Sequence, residues 1–299
     1  MGSQFWWFYD VAAAAILLIC VFVGSRKGVM KSAFAFVGLI IAAILSYAVS
    51  GAVSETISGN MVSESNAKKI ASNIDSETFT DMYADYLTSM GYSIKVDKNK
   101  LGKALDSKEN IDEAVVKYIN NINGHAVDEK EVVFEKVREG YAVVISDIIS
   151  RSLNKYASET AAEIIRNDSS GMAELIPLLR NSDNIHPAAL YIAKNYASPA
   201  YYVIGRLAAF LIVFCVAAFI IVCSVNAFFG RKEVEAIGVS SHIMGGVFGI
   251  LSAAVLIFAV AAGIRLSAVL GNDAMLFFNN DAVSKSYVFR YFYELVMKM

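Results

Sequence analysis

Four segments of this chain are long and apolar enough to cross a membrane as helices, and they restrict the fold more than any other feature. A helix needs about 20 apolar residues to cross the hydrocarbon core, because lipid offers the backbone no hydrogen-bond partners. The sequence therefore predicts an all-α membrane protein with four transmembrane helices in two hairpins. The four predicted spans are Phe5–Gly24, Ala33–Val53, Tyr201–Phe229 and Ile243–Leu266.

The charged residues are concentrated between the second and third spans. Residues 55–200 hold 16 of the 26 Lys and Arg residues and 22 of the 28 Asp and Glu residues. Apolar residues there recur at helical spacing, for example Phe79, Met82, Tyr86 and Met90. Residues 95–110 are charged and weakly apolar, which predicts a mobile or loosely packed insert. We expect four parts: a transmembrane hairpin at 1–54, a helical extracytoplasmic domain at 55–200, a second hairpin at 201–270 and an interfacial amphipathic tail at 271–299.

Both short turns between predicted spans carry basic residues. The first turn holds Arg26, Lys27 and Lys31, and the second opens with Arg231 and Lys232. Short cytoplasmic loops of membrane proteins are enriched in Lys and Arg. The pattern predicts a multi-pass protein of the cytoplasmic (inner) membrane, with both turns inside and both termini outside. The alternative is that these charges only cap helix C-termini.

Three ionisable residues lie within the predicted spans or at their outer ends, namely Asp10, Arg206 and Arg265. A carboxylate in the hydrocarbon region is costly unless it is paired. One hypothesis is therefore an intramembrane polar cluster in which Asp10 pairs with one of the arginines. The other is that Asp10 caps the first helix at its N-terminus, where negative charge is favourable.

Small residues recur at helical spacing in the predicted spans. Glycine lets two membrane helices approach closely and gain dispersion contacts. We expect helix packing at Gly38, Gly205, Gly245 and Gly249. Two interpretations remain open, packing within one chain and a homo-oligomer interface.

The sequence contains no recognisable catalytic or cofactor motif. No Gly-rich phosphate loop is present, and the three histidines have no Cys or Glu at ligand spacing. The stretch "RNDSSGM" (166–172) is only loosely like a serine-protease nucleophile loop and lacks the supporting residues of a triad. The net charge of −2 argues against a nucleic-acid partner. We expect a protein that is not an enzyme and that takes no cofactor.

Three short motifs, in this order, resemble the colicin V production protein (CvpA) family of bacterial membrane proteins. They are Asp10 ahead of the first span, "GSRKG" at 24–28 and "GGVFG" at 245–249. The long insert between the second and third spans departs from the shortest family members. The resemblance implies an inner-membrane protein linked to toxin production or export and to envelope homeostasis, with no cofactor.

Two functions of different classes follow from these features. The first is a non-enzymatic membrane factor or scaffold that sits in the lipid bilayer and meets an envelope component or a secreted peptide. The alternative is a small transporter or channel subunit, which ionisable residues inside the bilayer would favour. A membrane protease or hydrolase is a third hypothesis, but the sequence contains no motif that supports it.

Overall fold

The computed structural model describes residues 2–92, 94–107, 110–181, 183–229, 238–271, 275 and 278–299. All regular elements of these residues are helical, which confirms the predicted all-α class for this part of the chain. A 3₁₀ turn at Gly2–Phe5 and π-helical turns at Ile57–Val62 and Ala193–Ala197 accompany the α-helices. The α-helices are α1 (Trp6–Thr56), α2 (Ser63–Ala71), α3 (Thr78–Ser89), α4 (Lys98–Leu105), α5 (Ile111–Asn123), α6 (Lys130–Ser152), α7 (Lys155–Asn167), α8 (Met172–Leu179), α9 (His186–Ile192), α10 (Ser198–Phe229), α11 (Val239–Leu270), α12 (Asn280–Ser284) and α13 (Phe289–Met297).

The chain divides into two compact units. One comprises Met1–Thr56 and Tyr202–Met299, and we call it the apolar unit. The other comprises Ile57–Tyr201, and we call it the polar unit. The boundaries predicted from the charge distribution, at 55 and 200, lie close to these two divisions.

Among the residues that the structure describes, three helical stretches are long and apolar enough to cross a membrane: Trp6–Thr56, His186–Phe229 and Val239–Leu270. The length and apolar composition of these helices indicate a multi-pass membrane protein. Apart from Phe5, the first two predicted spans both fall within α1, which has 51 residues.

Helix α1 contains one residue with a non-helical backbone. Gly28 has φ 73° and ψ 174°, a conformation that only glycine adopts readily because it has no Cβ. The side chain of Ser32 donates a hydrogen bond to the carbonyl oxygen of Gly24, 2.8 Å away and eight residues earlier in the chain. An α-helix brings together residues three or four apart, so this bond marks a local change of chain direction.

Helices α1 and α11 of the apolar unit bury mainly small side chains and expose many of their large ones. On α1 the buried residues after Gly28 include Ala42, Ser46, Ser50 and Ser54, which recur every four residues. Large side chains of the same helix, such as Ile41 and Ile44, are exposed. The core is completed by aromatic and aliphatic residues that include Leu39, Leu207, Phe210, Phe214, Ile257, Phe289 and Tyr293.

The polar unit has a core of larger side chains around α6. This helix packs against α2, α3, α5 and α7. Its buried positions, Val133, Val137, Tyr141 and Ile145, follow the helical spacing seen in the sequence. Tyr83 of α3 stacks on Tyr141 with ring centroids 5.1 Å apart.

The expectation of a loosely packed insert at 95–110 is wrong for its described residues. Helix α4 forms there because Asp97 caps it, accepting hydrogen bonds from the backbone N–H groups of Asn99 and Lys100. Leu101 and Leu105 are fully buried in the core of the polar unit. Burial of these two leucines stabilises the helix although most other residues of the segment are polar or charged.

The C-terminal segment of the chain packs on the apolar unit as α12 and α13. Phe289, Tyr293 and Val296 are buried at steps of four and three, so one face of α13 contributes to the core. Tyr9 of α1 stacks on Phe289 at 5.3 Å. The α13 part of the predicted amphipathic tail is therefore docked along this face, and its location at a membrane interface stays a prediction.

Candidate functional site in the apolar unit

The closest helix contact in the apolar unit lies between α1 and α11. A Cβ atom added at Gly249 would overlap the carbonyl oxygen of Cys20, and one added at Gly245 would overlap that of Gly24. The two backbones approach this closely because no side chain stands between them. Gly24 itself is buried, and a Cβ atom added there would overlap the carbonyl oxygen of Gly245 in α11.

The other two glycines expected to pack lie at contacts of α10 with α1. A Cβ added at Gly38 would overlap the side chain of Ile221. One added at Gly205 would lie 2.9 Å from the hydroxyl oxygen of Ser54. That hydroxyl donates a hydrogen bond to the carbonyl oxygen of Tyr202. All four glycines thus contact residues of the same chain.

The basic turn of α1 contacts the beginning of α11. The backbone N–H of Val29 donates to the hydroxyl of Ser241 over 3.1 Å, and Nδ1 of His242 lies 2.7 Å from the carbonyl oxygen of Ser25. Arg26 is exposed and its guanidinium lies over the ring of Phe22, 4.6 Å from the centroid. Arg231 and Lys232, the residues of the second predicted basic turn, lie outside the described residues.

Asp10 binds the beginning of the C-terminal helix. Its carboxylate accepts hydrogen bonds from the backbone N–H groups of Tyr287, Val288 and Phe289, at 2.7, 2.9 and 3.1 Å. The first N–H groups of a helix have no partner within the helix, and the helix dipole favours a negative charge there. Asp10 therefore caps α13, which begins 279 residues later in the chain, instead of capping its own helix.

Neither arginine of the predicted cluster forms an ion pair with Asp10 among the described residues. Arg206 donates through Nη1 to the carbonyl oxygen of Met299 and lies over the ring of Tyr47 at 4.7 Å. Arg265 is buried, with its guanidinium 6.0 Å from the ring centroid of Tyr293. Asp10, Arg206 and Arg265 therefore each contact a different part of the C-terminal residues 287–299. These contacts take the place of the predicted Asp–Arg pair.

The docking of the C-terminal segment was not predicted from the sequence. The signal was present in the apolar spacing of Phe289, Tyr293 and Val296, which is typical of one buried helix face. The many aromatic residues around it, together with Lys285 and Arg290, suited a helix at a lipid interface equally well. Composition alone does not distinguish a protein surface from a membrane surface as the partner of such a face.

A cavity of about 190 Å³ lies beside the contact of α1 with α11. Its lining is mainly apolar and includes Cys20, Val23, Leu39 and Leu256. Among the described residues, Lys27 is the single charged residue in the lining. No sequence motif indicated this cavity, because its walls come from three helices, α1, α10 and α11, that are far apart in the chain.

The polar unit has a larger cleft, of about 510 Å³. Arg138 and Arg166 line it, but both are already engaged in ion pairs. Arg138 donates to Asp112 over 3.0 Å, and Arg166 makes two bonds of 2.7 Å to Glu139. The backbone N–H of Ser170 donates to Asp168, which holds the pKa of that carboxyl below its usual value. The cleft is polar, and its charges are largely compensated.

The described residues offer no grouped metal ligands, since no three of their His, Cys, Asp or Glu side chains lie together as a metal ion would require. The cysteines, Cys20, Cys215 and Cys223, are free thiols. Comparisons of the chain with protein-family models, curated proteins and solved structures find no match.

Proposed function

We propose that the chain is a non-enzymatic membrane factor or scaffold, held in the bilayer by the apolar unit and meeting its partner through the polar unit. The observation that carries this proposal is the distribution of exposed apolar side chains. Of the large hydrophobic residues exposed in the described part of the chain, Val143 alone belongs to the polar unit. An exposed apolar surface is stable only against lipid or another apolar partner, whereas the polar unit presents a surface suited to water.

The apolar unit then crosses the membrane four times in two hairpins. A straight helix of 51 residues would be roughly 77 Å long, far more than the hydrocarbon core of about 30 Å. The backbone of Gly28 and the bond from Ser32 to Gly24 support a reversal of α1 at this point. Helices α10 and α11 supply the other two spans.

The orientation follows from the basic residues of the first turn. Arg26, Lys27 and Lys31 favour a cytoplasmic position for the turn at Gly28, with Arg231 and Lys232 doing the same for the second turn. The protein then resides in the inner membrane with its polar unit and both termini outside the cytoplasm. The inner-membrane location is also what the resemblance to colicin V production proteins implies, whereas the orientation rests on the basic turns alone.

The polar unit supplies the surface for a partner. It has its own core, and its charged residues form ion pairs at the surface, such as Arg166 with Glu139. The partner class that fits an extracytoplasmic helical unit of this kind is an envelope component or a secreted peptide. A role in toxin production or export, or in envelope homeostasis, follows from the family resemblance.

Crosslinking in intact cells tests the proposal. An amine-reactive reagent that cannot cross the membrane would be applied to cells that make the tagged full-length protein, and linked peptides would be identified by mass spectrometry. We expect one abundant envelope protein or secreted peptide linked to lysines of the polar unit. Links between copies of this chain and nothing else would contradict a scaffold.

A transporter or channel subunit is the second candidate, and it is favoured by the two arginines of the apolar unit. Arg265 is buried within α11, and Nε of Arg206 is buried without a hydrogen-bond partner in the described structure. Ionisable groups in such positions commonly line solute pathways. Solute flux through the purified protein in liposomes, lost in the Arg265→Gln variant, would support this function over the scaffold.

A further inference from the structure

The cavity beside α1 and α11 has the shape and lining of a lipid site. We propose that it holds part of one acyl chain of an anionic phospholipid whose phosphate contacts Lys27. This inference rests on the membrane location in the proposed function and adds a ligand to it. It is independent of the identity of any protein partner.

The walls of the cavity suit a hydrocarbon chain. Apart from Lys27, the lining consists of apolar and small residues, among them Val23, Leu39 and Leu256. An apolar cavity of about 150 Å³ is large enough to hold benzene. A cavity of about 190 Å³ therefore has room for several methylene groups of one chain.

The cavity opens towards the surface that faces lipid. Ile19 and Val222 form part of its lining, and they are 62% and 41% exposed. Both belong to the exposed apolar surface of the unit. An acyl chain can therefore enter sideways from the bilayer without crossing a polar barrier.

The charge around the cavity selects an anionic headgroup. Lys27 lines the cavity, and Arg26 and Lys31 lie one and four residues from it along the chain. The stretches that build the cavity walls, 11–54, 202–229 and 238–271, contain no Asp or Glu. Among the described residues, none of these three cations has an ion-pair partner. Basic pockets between membrane helices on the cytoplasmic side bind the headgroups of anionic lipids for this reason.

Native mass spectrometry of the full-length protein in detergent tests the site. The protein would be mixed with equal amounts of phosphatidylglycerol and phosphatidylcholine of the same chain length. We expect one retained lipid per chain, with phosphatidylglycerol favoured by about fivefold, the effect of one basic residue near a membrane surface. Lys27→Gln should abolish the preference and Lys27→Arg should keep it. Arg290→Gln, which removes a cation from the distant α13, should leave it unchanged.

A second variant tests the binding of the acyl chain in the cavity separately from the contact of the phosphate with Lys27. Ala35 lines the cavity, and Ala35→Leu should fill it and reduce retention of both lipids while Lys27 stays in place. Glycerol phosphate, the headgroup without chains, should not compete. Equal retention of the two lipids, an unchanged preference in Lys27→Gln, full retention in Ala35→Leu, or competition by glycerol phosphate would each overturn the proposal. Release of the protein from membranes by alkaline washing would instead refute the membrane location itself.

Discussion

Helices α1 and α11 of the apolar unit bury smaller side chains than the core of the polar unit does. In the apolar unit the buried positions of α1 and α11 are largely glycine, alanine and serine, and the bulky residues face outward. In the polar unit isoleucine, leucine, valine and tyrosine fill most of the core, with alanines between them. Water drives large apolar side chains inward, whereas lipid removes that driving force and leaves close backbone packing as the source of stability. The surrounding solvent therefore explains the difference between the two cores.

The largest expected effect comes from emptying the core of the polar unit. Leu101 of α4 is fully buried, so Leu101→Ala removes packed methyl groups and leaves a cavity. We expect the free energy of unfolding to fall by about 2–5 kcal/mol. Chemical denaturation, followed through the tyrosine-rich core around Tyr83, would measure it. Lys103→Ala on the exposed face of the same helix is the control, and a loss in the control as large as that in Leu101→Ala would show that α4 is not packed as described.

Adding a single methyl group at a close helix contact of the apolar unit should lower its stability, whereas adding one away from the contact should not. Gly249→Ala places a Cβ against the backbone of Cys20, so we expect a loss of about 1–3 kcal/mol from overpacking. Gly263 lies on the same helix, and its nearest neighbour is Leu211 at 4.0 Å. Gly263→Ala should be neutral, or stabilising by up to about 1 kcal/mol, because alanine favours the helix. Thermal unfolding in detergent checks both, and equal melting of the two variants would rule out a special contact at Gly249.

A smaller effect should follow from loosening the C-terminal helix. Asp10→Ala removes the acceptor for three backbone N–H groups at the start of α13, and we expect a loss of about 0.5–2 kcal/mol, typical of a lost helix cap. Asp10→Asn should cost less, because asparagine also caps helices well. Protease cleavage after Arg290 should become faster in Asp10→Ala and stay near the parent rate in Asp10→Asn. Equal acceleration in both would mean that Asp10 acts through its charge on an arginine.

The smallest effect concerns an ion pair at the surface of the polar unit. Arg180 donates two hydrogen bonds to Asp106 and thereby holds the pKa of that carboxyl below its usual value. A carboxyl with a lowered pKa in the folded state adds stability above its unfolded pKa of about 3.9, and this is lost as the pH falls through the folded pKa. The Asp106 side chain is 54% exposed, so screening limits the effect of Asp106→Asn at pH 7 to about 1 kcal/mol or less. The difference between parent and variant should narrow below pH 4, and a constant difference down to pH 3 would contradict this cause.

The sequence was sufficient for the helical class and for the long apolar helices, because both depend on local composition and spacing. The spacing of Phe79, Met82 and Tyr86 predicted α3 for the same reason. The change of chain direction at Gly28 depends on one backbone conformation, which the pattern "GSRKG" indicated as a turn without giving its geometry.

Contacts between residues distant in sequence could not be predicted. Asp10 has α13 as its partner because the chain folds the last helix back onto α1. The burial of Leu101 depends on a core formed by other helices, and Arg180, which packs over Gly102, stands nearly 80 residues later. The composition of 95–110 shows that the segment is weakly apolar, but it does not show which other residues of the chain pack against it.

Cysteine accessibility in intact cells tests the central claim, that the two units occupy different environments. Cys20, Cys215 and Cys223 would first be replaced by serine, and a single cysteine would then be introduced as Ser170→Cys in the polar unit or Ser25→Cys in the basic turn. Ser170 is exposed, so a maleimide that cannot cross the membrane should label Ser170→Cys in intact cells. Ser25→Cys should react only after the cells are permeabilised. Labelling of Ser25→Cys and protection of Ser170→Cys in intact cells would contradict the orientation and, with it, the role proposed for the polar unit.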